Sequence, residues 1–229
     1  MSKIGHLSAR PERIKIKKSA PTGLLPLRLE ESKRSGHLYI PESYRGGRAL
    51  PLVLLFHGAG GNSQHGLAPL LKLADPCGLI LAAPASHEFT WDVIIEEYGV
   101  DLTQVDRVLS HVFTHYAVDP SRIAIGGFSD GASYALSLGV MNGDLFSHIL
   151  AFSPGFMIST VQRGNPQVFI SHGTDDTVLP IDKCSRRIVP QLKRAGYEVV
   201  YREFEGGHSV PSDIAQEAAR WFAGKTGLH

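Results

Sequence analysis

Short apolar runs alternate along the chain with longer stretches of helical periodicity. Residues 52–56, Leu-Val-Leu-Leu-Phe, are apolar on both faces and follow Pro51, which is typical of a strand buried in a parallel sheet. Similar short runs predict further strands at residues 79–83, 122–125, 148–152, 167–171 and 198–204. Strands that alternate with helices predict a mostly parallel sheet covered on both faces.

Helical patterns fill the intervals between these strands, at residues 66–75, 102–116, 130–141, 182–195 and 212–222. In the second of them one face is apolar, as a helix lying on a sheet requires; its members are Val105, Val108, Leu109, Val112 and Tyr116. Two earlier runs, 24–30 and 36–40, are close enough to form an antiparallel hairpin. The sum predicts a doubly wound, mostly parallel α/β sheet of about eight strands.

Length and composition favour one globular domain. The 229 residues can bury a sizeable core, and 43% hydrophobic with 20% charged residues is ordinary for such a domain. The 23 basic residues nearly balance the 22 acidic ones, which argues against nucleic acid as the main partner. The sequence leaves the oligomeric state open.

No apolar run approaches the roughly 20 residues of a membrane span, so we expect no stable membrane insertion. The first residues lack the apolar core of a secretory signal, and we expect the protein in the cytoplasm. In that reducing compartment Cys77 and Cys184 are expected as free thiols, with a disulfide as the alternative.

Candidate chemistry begins at Gly127-Phe128-Ser129-Asp130-Gly131, where a predicted strand turns into a predicted helix. A Ser at such a corner is strained, and a Cβ two positions to either side would crowd the backbone. The helix N-terminus adds unpaired N–H groups and a partial positive charge, which favour an oxyanion. Ser129 is therefore a candidate nucleophile.

A nucleophilic Ser needs a base, and the base needs an acid to hold its tautomer. His172-Gly173-Thr174-Asp175-Asp176 follows the strand at 167–171, and Gly206-Gly207-His208 follows the last strand. The order Ser, acid, His along the chain fits a base at His208, although a loop histidine bonded to a carbonyl is the alternative. The sequence alone leaves the acid open between Asp175 and Asp176.

The oxyanion formed on attack needs two backbone N–H donors. The glycine-rich run from His57 to Gly61 follows the central strand and lets its backbone approach a substrate. We expect the donors to be the N–H groups of Ala59 and Asp130. His57 itself is expected to brace the loop by hydrogen bonding.

Together these motifs, with Leu179-Pro180 and Gly207-His208, resemble the phospholipase/carboxylesterase family of small α/β-hydrolases over roughly residues 52–222. Acyl-protein thioesterases, feruloyl esterases and polyhydroxybutyrate depolymerases carry close variants. The resemblance implies hydrolysis of small-molecule esters through an acyl-enzyme, with no cofactor and no metal. It also assigns the acid to the last residue of His-Gly-x-x-Asp, Asp176. Asp130 stands where acyl-protein thioesterases usually have Gln, which weakens the assignment of this sequence to the thioesterase branch.

The domain prediction has two parts: residues 1–23 form an N-terminal basic arm or edge segment, and residues 24–229 a single α/β-hydrolase domain. The basic residues of the arm are Arg10, Arg13, Lys15, Lys17 and Lys18. Lys on an edge strand discourages aggregation; a weak surface contact with anionic lipid is the alternative.

Residues 153–166 are too short for a cap domain, so we expect an open apolar pocket for short or medium acyl chains. Segment 84–101 is expected to form one wall with Trp91 and Tyr98. The opposite wall is assigned to Phe156 and Met157, with Leu179 nearby. Two rival functions are a peptidase, which usually carries a gating domain, and a non-enzymatic receptor, which would normally lose part of the motif set. The pair His111 and His115 is expected to lie on a solvated helix face.

Overall fold

The computed structural model describes residues 5–11, 20–27, 34, 36–95, 99–158 and 161–224. Within them one eight-stranded sheet organises the fold. Its strands are β1 (Gly23–Leu27), β2 (Gly36–Ile40), β3 (Leu50–Phe56), β4 (Ile80–Ala83), β5 (Val118–Phe128), β6 (His148–Phe152), β7 (Gln167–Gly173) and β8 (Val199–Phe204). The predicted strand 24–30 ends at Leu27, and its last three residues lie outside the described residues.

The strand order across the sheet is β1-β2-β4-β3-β5-β6-β7-β8. Strand β2 pairs antiparallel with both β1 and β4, and every other neighbouring pair is parallel. The sequence-based fold class is confirmed: a mostly parallel sheet with two leading antiparallel strands. Since the parallel strands end at one edge of the sheet, the loops that follow them meet there.

The helices are α1 (Ser63–Leu71), α2 (Ala74–Cys77), α3 (Asp92–Ile95), α4 (Val100–His115), α5 (Asp130–Met141), α6 (Ser185–Arg194) and α7 (Ser212–Phe222). The predicted bounds of α5 and α7 match those observed. The predicted helix 66–75 is two helices instead: α1 ends at Leu71 with its cap at Lys72, and α2 runs from Ala74 to a left-handed cap at Gly78. Helix α3 was missed because four residues are too short for a periodic signal.

Alternate side chains of each strand enter different cores. On β3, Leu52, Leu54 and Phe56 join the core beneath α4, α5 and α6. Val53 and Leu55 join the core beneath α1 and α7. This two-sided burial explains why the central strands read as continuous apolar runs rather than alternating ones.

The first described residues lie on the body of the domain. Leu7 is completely buried, and its backbone N–H donates to the Asn142 side chain at the end of α5. Arg10 makes an ion pair with Asp144 at 2.6 Å. The other basic residues of the predicted arm lie outside the described residues. No helix in the described part of the chain has both the length and the apolarity to cross a bilayer.

Candidate active site

Ser129 lies between the end of β5 and the start of α5, with φ 58° and ψ −123°. A side chain in this left-handed region is strained, and such strain is held in place by its surroundings. A methyl group at Gly127 or Gly131 would lie closer than 3.0 Å to backbone atoms, among them the Phe56 carbonyl oxygen. The crowding expected from the sequence is therefore confirmed, and only glycine fits on either side of the corner.

The structure brings the side chains of Ser129, His208 and Asp176 into one hydrogen-bonded chain. His208 Nε2 lies 2.8 Å from Ser129 Oγ, and His208 Nδ1 lies 2.6 Å from Asp176 Oδ2. Because a carboxylate only accepts, Nδ1 carries the proton and Nε2 is left to accept the Ser129 hydroxyl proton. This tautomer is the one a general base requires.

Asp176 is held by its own turn. Its Oδ1 accepts the backbone N–H groups of Val178 and Leu179 at 2.9 and 2.8 Å, and its side chain has no exposed surface. Burial raises the pKa of Asp176, but the bonds from Leu179 and His208 outweigh it, and the net pKa lies below the usual value. Asp175 is exposed and touches the site only through its backbone.

A second histidine contacts the same carboxylate. His172 Nε2 lies 2.8 Å from the Leu179 carbonyl and 3.2 Å from Asp176 Oδ2, while Nδ1 lies 2.7 Å from Ser185 Oγ. With two acceptors at Nε2 that nitrogen carries the proton, so Nδ1 accepts from the hydroxyl. Burial lowers the pKa of His172. His172 belongs to a motif recognisable in the sequence, but no sequence pattern indicates this contact.

The glycine-rich loop packs against Ser129. A methyl group at Gly58 would lie 3.2 Å from Ser129 Cβ, and Gly60, at φ +67°, allows the turn closed by the Gly61 N–H and the Gly58 carbonyl. The Ala59 N–H finds no acceptor among the described residues. Asp130 opens α5, where a first-turn N–H has no acceptor within the helix.

His57 is buried beneath this loop and hydrogen-bonded at both ring nitrogens. Nδ1 lies 2.7 Å from the Gly58 carbonyl, and Nε2 accepts the Ser86 N–H at 3.0 Å. Burial lowers the pKa of His57 to about 4. The ring is thus neutral at pH 7 and braces the loop, as the sequence led us to expect.

Trp91 does not line a pocket. The structure buries its ring completely, stacked on Tyr134 at a centroid distance of 5.0 Å, and its Nε1 donates to the His57 carbonyl at 2.9 Å. A large apolar ring gains more from the core than from the rim, and its N–H has a partner there. Tyr98, the other aromatic assigned to this wall, lies outside the described residues.

The remaining pocket candidates lie at the loops after β6 and β7. Phe156, Met157 and Leu179 are all half-buried. Gly155 brings the two loops together, since a methyl group there would meet the Leu179 side chain at 3.3 Å. The ring of Phe89 lies over Gly60 in the glycine-rich loop and is 69% exposed.

In the described part of the chain no group of three or more His, Cys, Asp or Glu side chains is arranged to hold a metal. His111 and His115 stack on each other, and His115 Nδ1 bonds the His111 carbonyl. Cys77 and Cys184 are free thiols, the first half-buried and the second buried.

Comparison with known families decides the broader class. The model of a family described as phospholipase/carboxylesterase matches residues 100–223, more than half of the chain. The chain belongs to the phospholipase/carboxylesterase family. It is accordingly a hydrolase of the esterase class, and the resemblance drawn from the sequence motifs is confirmed.

Two curated relatives match parts of this family member. Acyl-protein thioesterase 1 of Gibberella zeae is 29% identical over 111 residues, which are 44% of this chain and 47% of that protein. A bifunctional acetylxylan esterase/xylanase of Neocallimastix patriciarum is 30% identical over 156 residues, 64% of this chain and 22% of that protein. The chain thus spans about half the length of the first relative and less of the second.

A solved structure extends the fold comparison. Fluorophosphonate-binding serine hydrolase F of Staphylococcus aureus superposes with a TM-score of 0.72 at 14% identity, over 89% of this chain and 99% of that one. At this identity the likeness concerns the fold alone, and it supports the α/β-hydrolase architecture.

Proposed function

We propose that the protein is a serine hydrolase that cleaves carboxylic esters with short to medium acyl chains through an acyl-enzyme intermediate. The observation that supports this most is the hydrogen-bonded chain from Asp176 through His208 to Ser129. It lies beside loop 57–61 and the N-terminus of α5, where the N–H groups of Ala59 and Asp130 have no acceptor among the described residues. The membership of the family supports the same reaction class.

In the proposed reaction Ser129 Oγ attacks the ester carbonyl while His208 Nε2 takes the hydroxyl proton. The N–H groups of Ala59 and Asp130 stabilise the negative oxygen of the tetrahedral intermediate. His208 then gives its proton to the leaving alcohol, and an acyl-enzyme forms. Water activated by His208 adds to the acyl carbon, the acid is released, and the proton returns to Ser129. Asp176 holds the imidazole and stabilises its positive charge throughout.

The proposed acyl site lies between two apolar borders around Ser129. In this proposal the half-buried Phe156, Met157 and Leu179 form one border, and the exposed ring of Phe89 over Gly60 forms the other. Between β6 and β7 the described residues contain no helix that covers this opening. An open apolar site favours short to medium chains over a long chain that needs a deep tunnel.

A thioesterase is the second candidate, because the Gibberella zeae relative is named an acyl-protein thioesterase. Oxygen esters and thioesters both pass through the same tetrahedral oxyanion, so the proposed residues fit either. Feruloyl-type esters are a third class, for which the exposed Phe89 ring offers a flat apolar contact. Cleavage in the cytoplasm remains the expectation from the sequence.

A substrate panel tests the proposal. The purified protein is assayed on p-nitrophenyl esters from two to twelve acyl carbons, on a thioester of matched chain length, on methyl ferulate and on a peptide anilide. We expect kcat/KM to peak within the first half of the ester series and to be negligible for the anilide. Absence of ester hydrolysis, or activity equal in Ser129→Ala, would contradict the proposal.

A further inference from the structure

Three consecutive residues between β4 and α3 are bonded to both parts of the proposed oxyanion site. The Phe89 carbonyl accepts the Gly60 N–H at 2.7 Å, and the Trp91 indole donates to the His57 carbonyl at 2.9 Å. Between them, Thr90 Oγ1 donates to Asp130 Oδ2 at 2.7 Å. The segment 89–91 is therefore tied to loop 57–61 and also to the N-terminus of α5.

Burial and ring packing hold segment 89–91 in one conformation. Thr90 is 8% exposed, and Trp91 is completely buried between Phe56 of β3 and Tyr134 of α5, with ring centroids 4.7 and 5.0 Å away. Buried, close-packed side chains have few alternative rotamers, so a hydrogen bond from the Thr90 hydroxyl fixes its acceptor. Its acceptor belongs to the residue that supplies one oxyanion donor.

We infer that Thr90 is a positioning residue, whose hydroxyl fixes the N–H group of Asp130 relative to that of Ala59. The inference rests on the proposed function. Oxyanion donors act at 2.7–3.1 Å from the position of the developing negative oxygen, and a displacement of about 1 Å can reduce the rate by up to about a hundredfold. The ground-state ester depends less on this spacing, so the effect falls on kcat rather than on KM.

The charge of Asp130 gives a second reason to expect that the hydrogen bond from Thr90 raises kcat. A carboxylate one residue after the nucleophile is unfavourable for an oxyanion that develops nearby. The Thr90 hydroxyl donates to Asp130 Oδ2 and draws part of that negative charge into a hydrogen bond. Without the donor, the carboxylate is both less fixed and less compensated, and both changes raise the energy of the transition state.

The test compares Thr90→Val with Thr90→Ser. Valine keeps the shape and removes the donor, and we expect kcat on the preferred p-nitrophenyl ester to fall about tenfold while KM changes less than about twofold. Serine keeps the donor and is expected to restore kcat to within about threefold of wild type. Thr114→Val, an exposed threonine on α4, is the matched control and should leave both constants unchanged. Melting temperatures of all variants are measured in parallel.

A double-variant cycle separates the contact from any other effect of Thr90→Val, and Asp130→Ala tests the same contact where Thr90→Val folds poorly. Asp130→Ala removes the acceptor from a half-exposed position together with the charge that the Thr90 hydroxyl compensates, so the lost positioning is partly offset and kcat should fall less than in Thr90→Val. Thr90→Val introduced into Asp130→Ala should then change kcat less than about twofold, because the hydroxyl has no acceptor left to fix. Unchanged kcat in Thr90→Val, an effect on KM alone, no rescue by serine, or independent losses would overturn the inference. A wild type without esterase activity would instead overturn the proposed function.

Discussion

At the scale of single residues, adjacent aspartates occupy unlike surroundings. Asp176 is buried and bonded to His208, whereas the Asp175 side chain is exposed. The sequence could not separate them from spacing alone, since neighbouring side chains point in different directions. The family motif selected Asp176, and the hydrogen bonds found in the structure favour the same residue.

Asp176→Asn is expected to lower turnover by about 10⁴, because the amide favours the wrong His208 tautomer and cannot stabilise the imidazolium. Asp175→Asn should change turnover less than about tenfold, since water screens an exposed carboxylate. Steady-state kinetics of both variants under identical conditions measure this difference. Equal losses, with both variants shown to be folded, would contradict the assignment.

His57 provides a prediction about pH. Its pKa falls from 6.5 to about 4 on folding, so the unfolded chain binds the additional proton first. The stability this neutral ring supports is fully present above pH 6.5 and is lost as pH falls toward 4. At about 1.4 kcal/mol for each pKa unit, the loss between pH 7 and 4.5 is about 2 to 3 kcal/mol.

His57→Gln keeps an acceptor for the Ser86 N–H and a donor for the Gly58 carbonyl but does not titrate. Between pH 7 and 4.5 the free energy of unfolding of His57→Gln should fall by about 2 to 3 kcal/mol less than that of wild type. Urea denaturation at the two pH values measures it. His148 and His172, whose pKa values burial also lowers, remain in both proteins and cancel in the comparison. Parallel pH dependence in the two proteins would refute the role given to His57.

At the scale of elements, β3 and α5 approach each other closely in the site at Gly131. A methyl group there would lie closer than 3.0 Å to the carbonyl oxygens of Phe56 and His57, and backbone cannot move aside as a side chain can. Gly131→Ala should therefore lower the free energy of unfolding by about 3 kcal/mol.

Gly47→Ala is the matched control, because a methyl group there meets nothing within 4 Å. It should change stability by less than about 0.5 kcal/mol. Urea denaturation compares the two variants with wild type. If Gly131→Ala proved as stable as Gly47→Ala, the close contact between β3 and α5 would be in error.

Elements with a strong period were predictable from the sequence, and those held by tertiary contacts were not. Helix α7 carries an apolar face long enough to fix its bounds, whereas α5 is buried on every side and follows from the turn at Ser129 where it starts. Strand β5 was predicted over residues 122–125 but begins at Val118, because pairing with β3 extends it through polar residues. The strands that pair are distant in sequence, so no local pattern predicts how far the pairing extends a strand.

The residues of the site also differ in whether the sequence could predict them. Ser129 and His208 follow from motifs at strand ends, where fold topology makes loops converge. The Thr90 contact with Asp130 joins residues 40 positions apart and has no motif. Trp91 was misplaced because an aromatic residue in a loop looks the same in sequence whether it faces a pocket or the core.

At the scale of the whole molecule, the sheet brings chain segments from β3 to β8 to a single edge. Loop 57–61 and the proposed nucleophile, acid and base each follow a different parallel strand. The central claim is that this convergence makes one serine nucleophilic among the many in the chain. A second serine with positive φ, Ser153 at 52°, lies at the end of β6 and serves as its internal comparison.

Intact-mass spectrometry after treatment with a fluorophosphonate probe tests that claim most directly, because the probe forms a stable phosphonyl ester only with an activated hydroxyl. We expect one probe on wild type and on Ser153→Ala, whose serine is buried and has no histidine partner among the described residues. Ser129→Ala should remain folded and carry none. Labelling of Ser129→Ala at the wild-type rate, or an unlabelled wild type, would contradict the account.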